Sequence, residues 1–166
     1  MNGDCFFENA DELKRAKKEH LEDVLTVLPW VATVDKFQHW VYTNPGHTDE
    51  ERNNKWEEIF NEFGSSIIYW NGQELFKKHI WKKQLHIFEV PFYYIEYGMA
   101  QLGAIALWYN FKNNPDKTVQ QYLNALKLGY TRSISEIYSE AGAKFDFSSD
   151  YINELMQFVK SELSKV

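Results

Sequence analysis

The sequence predicts an all-α protein, an irregular bundle of several helices joined by short connections. Apolar residues recur at steps of three and four through most of the chain, which is the spacing of one helix face. Helix-capping residues, glycines and prolines fall at the ends of these periodic segments. The 166 residues contain no internal repeat and no Gly/Ser linker, so we expect one all-α segment over residues 1–166 without an internal boundary.

The first helical segment begins at Asp11 and extends to about Thr43. Pro29 lies inside it, where it lacks an amide donor and clashes with the preceding turn. We therefore expect a kink or a break near Leu28, with a second helix over residues 30–42. The Asn-Pro-Gly sequence that follows predicts a turn.

A capping box opens the next helix. Thr48 and Glu51 have the spacing at which each side chain bonds the backbone amide of the other residue. This helix should end at Gly64, because glycine commonly follows the last turn of a helix. The segment 65–72 is short and isolated, and we expect it to be a loop.

Two longer helical segments are predicted next, one from about Gln73 to Pro91 and one from Phe92 to Lys112. The second is rich in glycine and alanine. Each glycine costs about 1 kcal/mol of helix propensity relative to alanine, so close contact with neighbouring backbones is the expected compensation. Three shorter helices are predicted after it, over residues 118–128, 133–140 and 150–165.

Composition excludes several classes of protein. The net charge is -6 and the basic residues form no patch, so we expect no nucleic-acid partner. The single cysteine, Cys5, excludes a disulfide framework and fits a cytoplasmic setting. No signal peptide is recognisable, and the longest apolar stretch, residues 98–108, is too short to span a membrane. Aromatic residues make up 17% of the chain, so some rings should line a surface that another body covers.

The common metal and nucleophile motifs are missing from the sequence. None of the five histidines is followed by Glu, which excludes the helical HExxH zinc motif. Glycine-rich phosphate loops and the G-x-S-x-G motif are also missing. His86 and Glu89 stand three residues apart, but a metal site needs at least two further ligands. We therefore favour a structural or substrate-contacting His86 and predict no metal ligand in this chain.

The strongest candidate site is the segment from Leu85 to Gly98. It contains one imidazole, two carboxylates and the phenols of Tyr93, Tyr94 and Tyr97, and Pro91 bends the backbone between them. Helical spacing allows the hydroxyls to converge. A phenol has a reference pKa near 10, so it is a neutral donor at pH 7 and suits an oxyanion that develops on a peptide carbonyl. The alternative is that these tyrosines pack in the core and bond to backbone carbonyls.

Three blocks of the sequence resemble one family. The segment 84–103, QLHIFEVPFYYIEYGMAQLG, is similar to the carboxy-terminal signature of the oligoendopeptidase F branch of the M3 zinc metallopeptidases, which are related to thimet oligopeptidase. The segments 32–45 and 122–129 resemble the same family in the same order. The resemblance implies an all-α fold that forms the carboxy-terminal part of an M3-type, neurolysin-like catalytic domain.

The activity that the resemblance implies is zinc-dependent hydrolysis of short peptides. Family members bind zinc through an HExxH helix and a glutamate on a following helix, and both precede the blocks matched here. We therefore expect zinc in the complete enzyme, none bound to this chain, and no activity of the isolated chain. The resemblance also implies that His86, Tyr93, Tyr94 and Tyr97 hold the substrate backbone and stabilise the tetrahedral intermediate. Tyrosine spacing differs between branches of the family, so the choice between Tyr93 and Tyr94 stays open.

A second interpretation belongs to a different class of protein. The chain could be a non-catalytic helical module that binds peptides or a partner chain through an exposed aromatic groove. If it lacks half of a shared core, the uncovered apolar surface should favour a homo-oligomer.

Overall fold

The structure is a computed structural model that describes Phe6, Phe7 and residues 9–166, and all regular elements in this part of the chain are helical. The all-α prediction is confirmed. The elements are α1 (Ala10–Thr43), α2 (Asp49–Phe63), α3 (Glu74–His79), a 3₁₀ turn (Ile80–Lys83), α4 (His86–Glu89), α5 (Ile95–Asn113), α6 (Pro115–Leu128), α7 (Ile134–Glu140) and α8 (Ser149–Leu163). None of the described helices combines the length and the apolar character that crossing a bilayer requires. Cys5 lies outside the described residues.

Capping signals in the sequence locate several helix ends correctly. At α2 the Glu51 carboxylate accepts from the Thr48 amide at 2.7 Å, and the Thr48 hydroxyl accepts from the Glu51 amide at 3.2 Å. These bonds hold the pKa of the Glu51 carboxyl below its ordinary value. Ser133 caps α7 through the same reciprocal pair. Helix α6 begins earlier than predicted because the Asn114 side chain caps it and Pro115 occupies its first position.

Helix α1 continues through Pro29, so the expected separate helix over residues 30–42 is wrong. The Pro29 carbonyl accepts a hydrogen bond from the Thr33 hydroxyl at 2.8 Å. Beyond the proline, the side chains of Val31, Val34 and Phe37 are at most 2% exposed. Their burial stabilises the helix by more than the single backbone hydrogen bond that proline removes.

The segment predicted as one helix from Gln73 to Pro91 is divided into α3, the 3₁₀ turn and α4. The amide of Gln84 donates to the Trp81 carbonyl at 3.0 Å and closes the 3₁₀ turn. Helix α5 begins at Ile95 rather than Phe92, because Phe92 has a left-handed backbone with φ of 60°. A turn therefore separates α4 from α5.

The described contacts divide into two compact units. The central unit is Leu25–Gly98, and the terminal unit comprises residues up to Val24 together with Met99–Val166. The division falls inside α1 and inside α5. That residues 1–166 form a single M3-type segment stays a prediction.

Aromatic rings form the core of the central unit. Phe37 and Trp56 are fully buried and pack edge to face at 5.2 Å, and Trp81 lies 5.4 Å from Phe37. Both indole N–H groups are satisfied, Trp56 by the Lys77 carbonyl and Trp81 by the Asn53 amide oxygen. Burying an indole in this way avoids the cost of an unpaired donor.

Small residues form much of the core of the terminal unit. Its buried side chains include Leu102, Ile105, Leu155 and Val159, together with four alanines, Ala106, Ala125, Ala141 and Ala143. A Cβ atom on Gly103 would lie 2.8 Å from the Tyr138 hydroxyl oxygen, so a larger residue there would force Tyr138 to move. The close approach expected of the small residues in α5 does occur, but the neighbour at Gly103 is a side chain.

Candidate active site

Helix α4, the turn and the start of α5 carry the residues of the predicted site. His86 opens α4, Tyr93 and Tyr94 lie in the turn, and Tyr97 is in the first turn of α5. The amide of Tyr93 donates to the Val90 carbonyl at 3.2 Å, and the amide of Tyr97 donates to the Tyr94 carbonyl at 3.3 Å. These bonds wind the segment tightly enough to bring residues on both sides of Pro91 together.

Contacts with α1 hold this turn in place. The Phe92 ring lies 4.7 Å from the His39 ring and 5.1 Å from the Tyr42 ring, between ring centroids. Below the turn, Ile87 and Tyr94 pack against the aromatic core of the central unit. The contacts of the Phe92 ring with α1, and the packing of its neighbours on the core, therefore maintain the left-handed backbone of Phe92.

His86, Tyr93, Tyr94 and Tyr97 form one group of mutually packed rings, which we term the ring cluster. The imidazole stacks nearly parallel to Tyr93 at 6.1 Å, and it meets Tyr94 at 5.0 Å and Tyr97 at 5.6 Å edge to face. Tyr97 also packs against Tyr93 at 5.8 Å and against Tyr94 at 5.1 Å. The structure thus brings all four sequence-predicted residues together, with the imidazole in contact with each phenol.

The ring cluster opens to solvent on one side. Tyr93 is 43% exposed and Tyr97 is 46% exposed, whereas His86 and Tyr94 are half-buried. The hydroxyls of Tyr93 and Tyr94 have no hydrogen-bond partner among residues 9–166. The alternative of core tyrosines bonded to backbone carbonyls therefore does not describe Tyr93 and Tyr97.

Hydrogen bonds connect the imidazole of the ring cluster on both sides. Its Nε2 lies 3.3 Å from the Tyr97 hydroxyl oxygen, and its Nδ1 lies 2.7 Å from the Gln84 amide nitrogen. The Gln84 amide oxygen accepts from the Trp30 indole N–H at 3.2 Å. Neither Trp30 nor Gln84 is among the site residues predicted from the sequence. The proximity of Gln84 and His86 in sequence could have suggested that contact, but no spacing rule connects Trp30 to either residue.

The chemistry available to the ring cluster is hydrogen-bond donation. Three phenols and one imidazole lie within contact of each other, with part of their surface free to meet a ligand. Neutral donors fixed in this way stabilise negative charge as it develops on a carbonyl oxygen, provided they are aimed at the place where that charge appears.

Comparison with known proteins identifies the family. The sequence matches the family described as Peptidase family M3 over residues 5–157. The chain belongs to peptidase family M3. A crystal structure of a protein named as an oligoendopeptidase F, solved at 3.1 Å, agrees with this fold at a TM-score of 0.85 and 29% sequence identity. No curated protein matches the sequence.

The structural match also shows how much of that relative the chain represents. The structural alignment covers 94% of this chain and 28% of the oligoendopeptidase F chain. The chain therefore spans a little over a quarter of the length of that relative, and its fold resembles that part of an oligoendopeptidase F.

M3 peptidases are generally zinc-dependent. Within the described residues, however, no group of three or more His, Cys, Asp and Glu side chains could hold a metal ion. His86 and Glu89 both belong to α4, but no further ligand joins them. The described residues of this M3 chain do not fit a zinc site.

Proposed function

We propose that the chain is the carboxy-terminal, substrate-facing part of a zinc-dependent oligoendopeptidase. The ring cluster carries this proposal, because it presents three phenols and an imidazole on an open surface of a chain from peptidase family M3. In the proposal, the zinc ion and the general base belong to parts of the complete enzyme that this chain does not contain. Short peptides are the substrates, and a cytoplasmic setting stays a prediction from the cysteine content.

The proposed role of the ring cluster is to stabilise charge on the scissile carbonyl. Attack on a peptide carbonyl moves negative charge onto its oxygen, and a phenol donates a hydrogen bond to that oxygen without a change in its own protonation. Tyr97 is favoured as one donor because it is exposed and in contact with His86. Tyr93 is more exposed than Tyr94, which packs partly on the core, and this favours Tyr93 as the second donor.

A complementation experiment tests whether the zinc ion and the general base belong to another part of the enzyme. The isolated chain, incubated with zinc, should bind no stoichiometric metal and should leave a quenched fluorogenic peptide intact. Addition of the preceding part of an oligoendopeptidase F, either as a separate chain or as a fusion, should give both zinc binding and cleavage of the peptide. Peptide cleavage by the 166-residue chain alone, with zinc bound, would show that the metal and the base were assigned to the wrong part of the enzyme.

Phenylalanine substitutions in the complemented enzyme test the donors. Tyr97→Phe should lower kcat by roughly 10²–10³-fold with little change in KM, which is the usual effect of removing one oxyanion donor. Tyr93→Phe and Tyr94→Phe, measured in parallel, identify the second donor. Tyr130→Phe is the matched control, because Tyr130 is fully exposed and lies in the turn after α6, outside the ring cluster. Equal kinetics for all four variants would exclude a role of the ring cluster in turnover.

A second candidate function is supported by one exposed face of α6. Val119, Tyr122, Leu123 and Leu126 are each 45% exposed or more, and they recur at the spacing of one helix face. A contiguous apolar face of this kind favours association. We propose that a chain lacking its covering segment forms a homo-oligomer through this face, as a non-catalytic binding module would.

Solution mass tests this second function. Sedimentation should give an oligomer for the native chain and a monomer for Leu123→Glu, which places a charge on the apolar face. Gln120→Glu adds the same charge to an exposed polar position on the same helix and should leave the mass unchanged. A monomeric native chain would remove the support for self-association.

A further inference from the structure

A line of hydrogen bonds runs from the core of the central unit to the open side of the ring cluster. The Trp30 indole N–H donates to the Gln84 amide oxygen at 3.2 Å. The Gln84 amide nitrogen lies 2.7 Å from His86 Nδ1, and His86 Nε2 lies 3.3 Å from the Tyr97 hydroxyl oxygen. Each group in this line is uncharged or can be neutral, so its donors and acceptors decide how the protons are arranged.

The direction of the line is fixed at its inner end. An indole N–H can only donate, so it must face the oxygen of the Gln84 amide and not the nitrogen. The amide NH₂ group, which can also only donate, then faces His86 Nδ1. Since Nδ1 must be an acceptor, the proton of the neutral imidazole lies on Nε2. The reversed amide would bring two donors together at Trp30 and leave both without an acceptor.

The fixed imidazole proton determines what the Tyr97 hydroxyl can do. With the proton on Nε2, the imidazole donates to the Tyr97 oxygen, and that oxygen is the acceptor in the pair. The hydrogen of the Tyr97 hydroxyl therefore cannot be used for His86 and is free to point outward. On a side chain that is 46% exposed, this hydrogen is available to a bound ligand.

The inner end of the line is held firmly. The Trp30 ring packs edge to face against Trp56 at 5.7 Å and against Phe60 at 6.3 Å. Gln84 is half-buried, and its backbone closes the 3₁₀ turn. Neither residue needs to reorganise when a ligand reaches the ring cluster, and such preorganisation makes a hydrogen-bond donor effective.

We propose that Gln84, oriented by Trp30, is a positioning residue that sets the tautomer of His86 and so reserves the Tyr97 hydroxyl hydrogen for the substrate carbonyl oxygen. The tautomer follows from the hydrogen bonds alone. The use of the hydroxyl hydrogen by a substrate rests on the proposed function.

Nitrogen-15 NMR of the histidine-labelled chain measures the tautomer directly, because protonated and unprotonated ring nitrogens have widely separated shifts. At a pH where the ring is neutral, native His86 should show protonated Nε2 and unprotonated Nδ1. Gln84→Glu replaces the donor NH₂ group by an acceptor and should move the proton to Nδ1. The signals are assigned by their loss in His86→Asn. A native signal with protonated Nδ1, or an unchanged signal in Gln84→Glu, would overturn the proposal.

Two further variants separate the tautomer from general structural effects. Trp30→Phe keeps an aromatic ring on the core but removes the donor, so the amide can reverse and both tautomers of His86 should become populated. If Gln84→Glu does not fold, Trp30→Phe still tests whether the Trp30–Gln84 hydrogen bond sets the tautomer. Gln73→Glu makes the same chemical change at an exposed residue whose side chain makes no cap bond, and it should leave the His86 signals unchanged. A shift in Gln73→Glu equal to that in Gln84→Glu would mean that charge alone moves the proton.

Kinetics in the complemented enzyme distinguish failure of this inference from failure of the proposed function. Gln84→Glu should lower kcat by roughly 10- to 100-fold with little effect on KM, because the Tyr97 hydrogen is then drawn toward the unprotonated Nε2. If the NMR signals reverse as expected but kcat does not change, Gln84 does set the tautomer of His86, but the Tyr97 hydroxyl does not donate to the substrate carbonyl. If the signals do not reverse, Gln84 does not position His86, and the kinetics cannot change that result.

Discussion

The two compact units of this chain use the same residue type, tyrosine, in opposite ways. Tyr138 of the terminal unit is half-buried against Gly103, and its hydroxyl donates to the Met99 carbonyl at 3.1 Å. Tyr97 of the central unit is 46% exposed, and its hydroxyl faces an imidazole. The environment, and not the residue type, decides whether a phenol stabilises the fold through a hydrogen bond or is available to a ligand.

The cores beneath these tyrosines differ accordingly. The central unit is filled by large rings whose packing extends to Ile87 and Tyr94, so the core fixes the ring cluster from below. The terminal unit is built from small residues, has a buried carboxylate, Glu162, paired with the exposed Lys112, and contains a cavity of about 270 Å³ lined by Gly103 and Tyr138 among others. Removal of volume should therefore be most harmful in the aromatic core of the central unit. Addition of volume should be harmful at Gly103 of the terminal unit, where Tyr138 leaves no room for a Cβ atom.

Phe37→Ala should have the largest effect on stability. Phe37 is fully buried and touches Trp56 and Trp81, so the substitution leaves a large cavity and should lower the free energy of unfolding by about 3–5 kcal/mol. Urea denaturation followed by tryptophan fluorescence measures this loss. Tyr69→Ala removes an aromatic ring that is 81% exposed and should change the stability by less than about 0.5 kcal/mol. Equal losses would contradict the ring-built core.

Gly103→Ala should destabilise the terminal unit even though alanine favours a helix. The added Cβ would lie within 3.0 Å of three atoms of Tyr138, and relief of that clash should cost about 1–3 kcal/mol against a gain of about 1 kcal/mol in helix propensity. Thermal unfolding measures the difference. Gly46→Ala is the control, since nothing lies within 4 Å of the position of its Cβ. A stabilised Gly103→Ala variant would show that Tyr138 moves aside freely.

Glu162→Gln tests the ion pair of the terminal unit. Glu162 is 7% exposed and accepts from Lys112 at 2.7 Å and from Lys165. Burial alone would raise the pKa of the Glu162 carboxyl, but the hydrogen bonds and charges of the two lysines outweigh it and hold the pKa below its ordinary value. The substitution should cost about 1–2 kcal/mol at neutral pH.

The pH dependence of this cost follows from the direction of the pKa shift. A carboxyl whose pKa is lower in the folded state than in the unfolded state stabilises the fold above the unfolded value of 4.5, and that stabilisation is lost as the pH falls through the folded value. The stability difference between the native chain and Glu162→Gln should therefore shrink in acid. Glu140→Gln, which makes the same chemical change on an exposed side chain of α7, is the matched control. A difference that is constant with pH would contradict the role of the carboxylate charge.

Deletion of single hydroxyls should give the smallest effects and the most direct comparison. Tyr138→Phe removes one hydrogen bond to a backbone carbonyl and should lower stability by about 1 kcal/mol, whereas Tyr97→Phe should change stability by less than about 0.5 kcal/mol. Chemical denaturation of the two variants beside the native chain checks both values. If Tyr97→Phe proved the more destabilising, the Tyr97 hydroxyl would be a structural group like that of Tyr138.

The sequence predicted the fold class and most helix ends, because caps and periodicity are local signals. Thr48 with Glu51 and Ser133 with Glu136 are examples. Pro29 misled the prediction for a non-local reason, since the burial of residues beyond it is not visible in the sequence around it. The division of the 73–91 segment also depends on tertiary packing, in particular on the burial of Trp81.

The sequence predicted the residues of the candidate site but not the hydrogen bonds that connect them. His86 and the tyrosines stand out because they are close together in sequence and resemble a family motif. Trp30 could not be recognised, because it lies 54 residues from Gln84 and the bond between them exists only in the folded chain. Which phenols are exposed also depends on the left-handed turn at Phe92, and a side chain of this type gives no local signal for that conformation.

The turn at Phe92, which contacts with α1 hold in place, determines which segments must be moved together if the ring cluster is grafted onto another protein. A left-handed conformation costs a residue with a Cβ roughly 1–2 kcal/mol, and in this chain His39 and Tyr42 of α1 pack on the Phe92 ring and offset that cost. An excised peptide covering residues 84–98 would lose both partners and relax to another backbone shape. Grafting the four rings onto a new protein would therefore require the matching stretch of α1, so the smallest portable form of this site is two segments and not one.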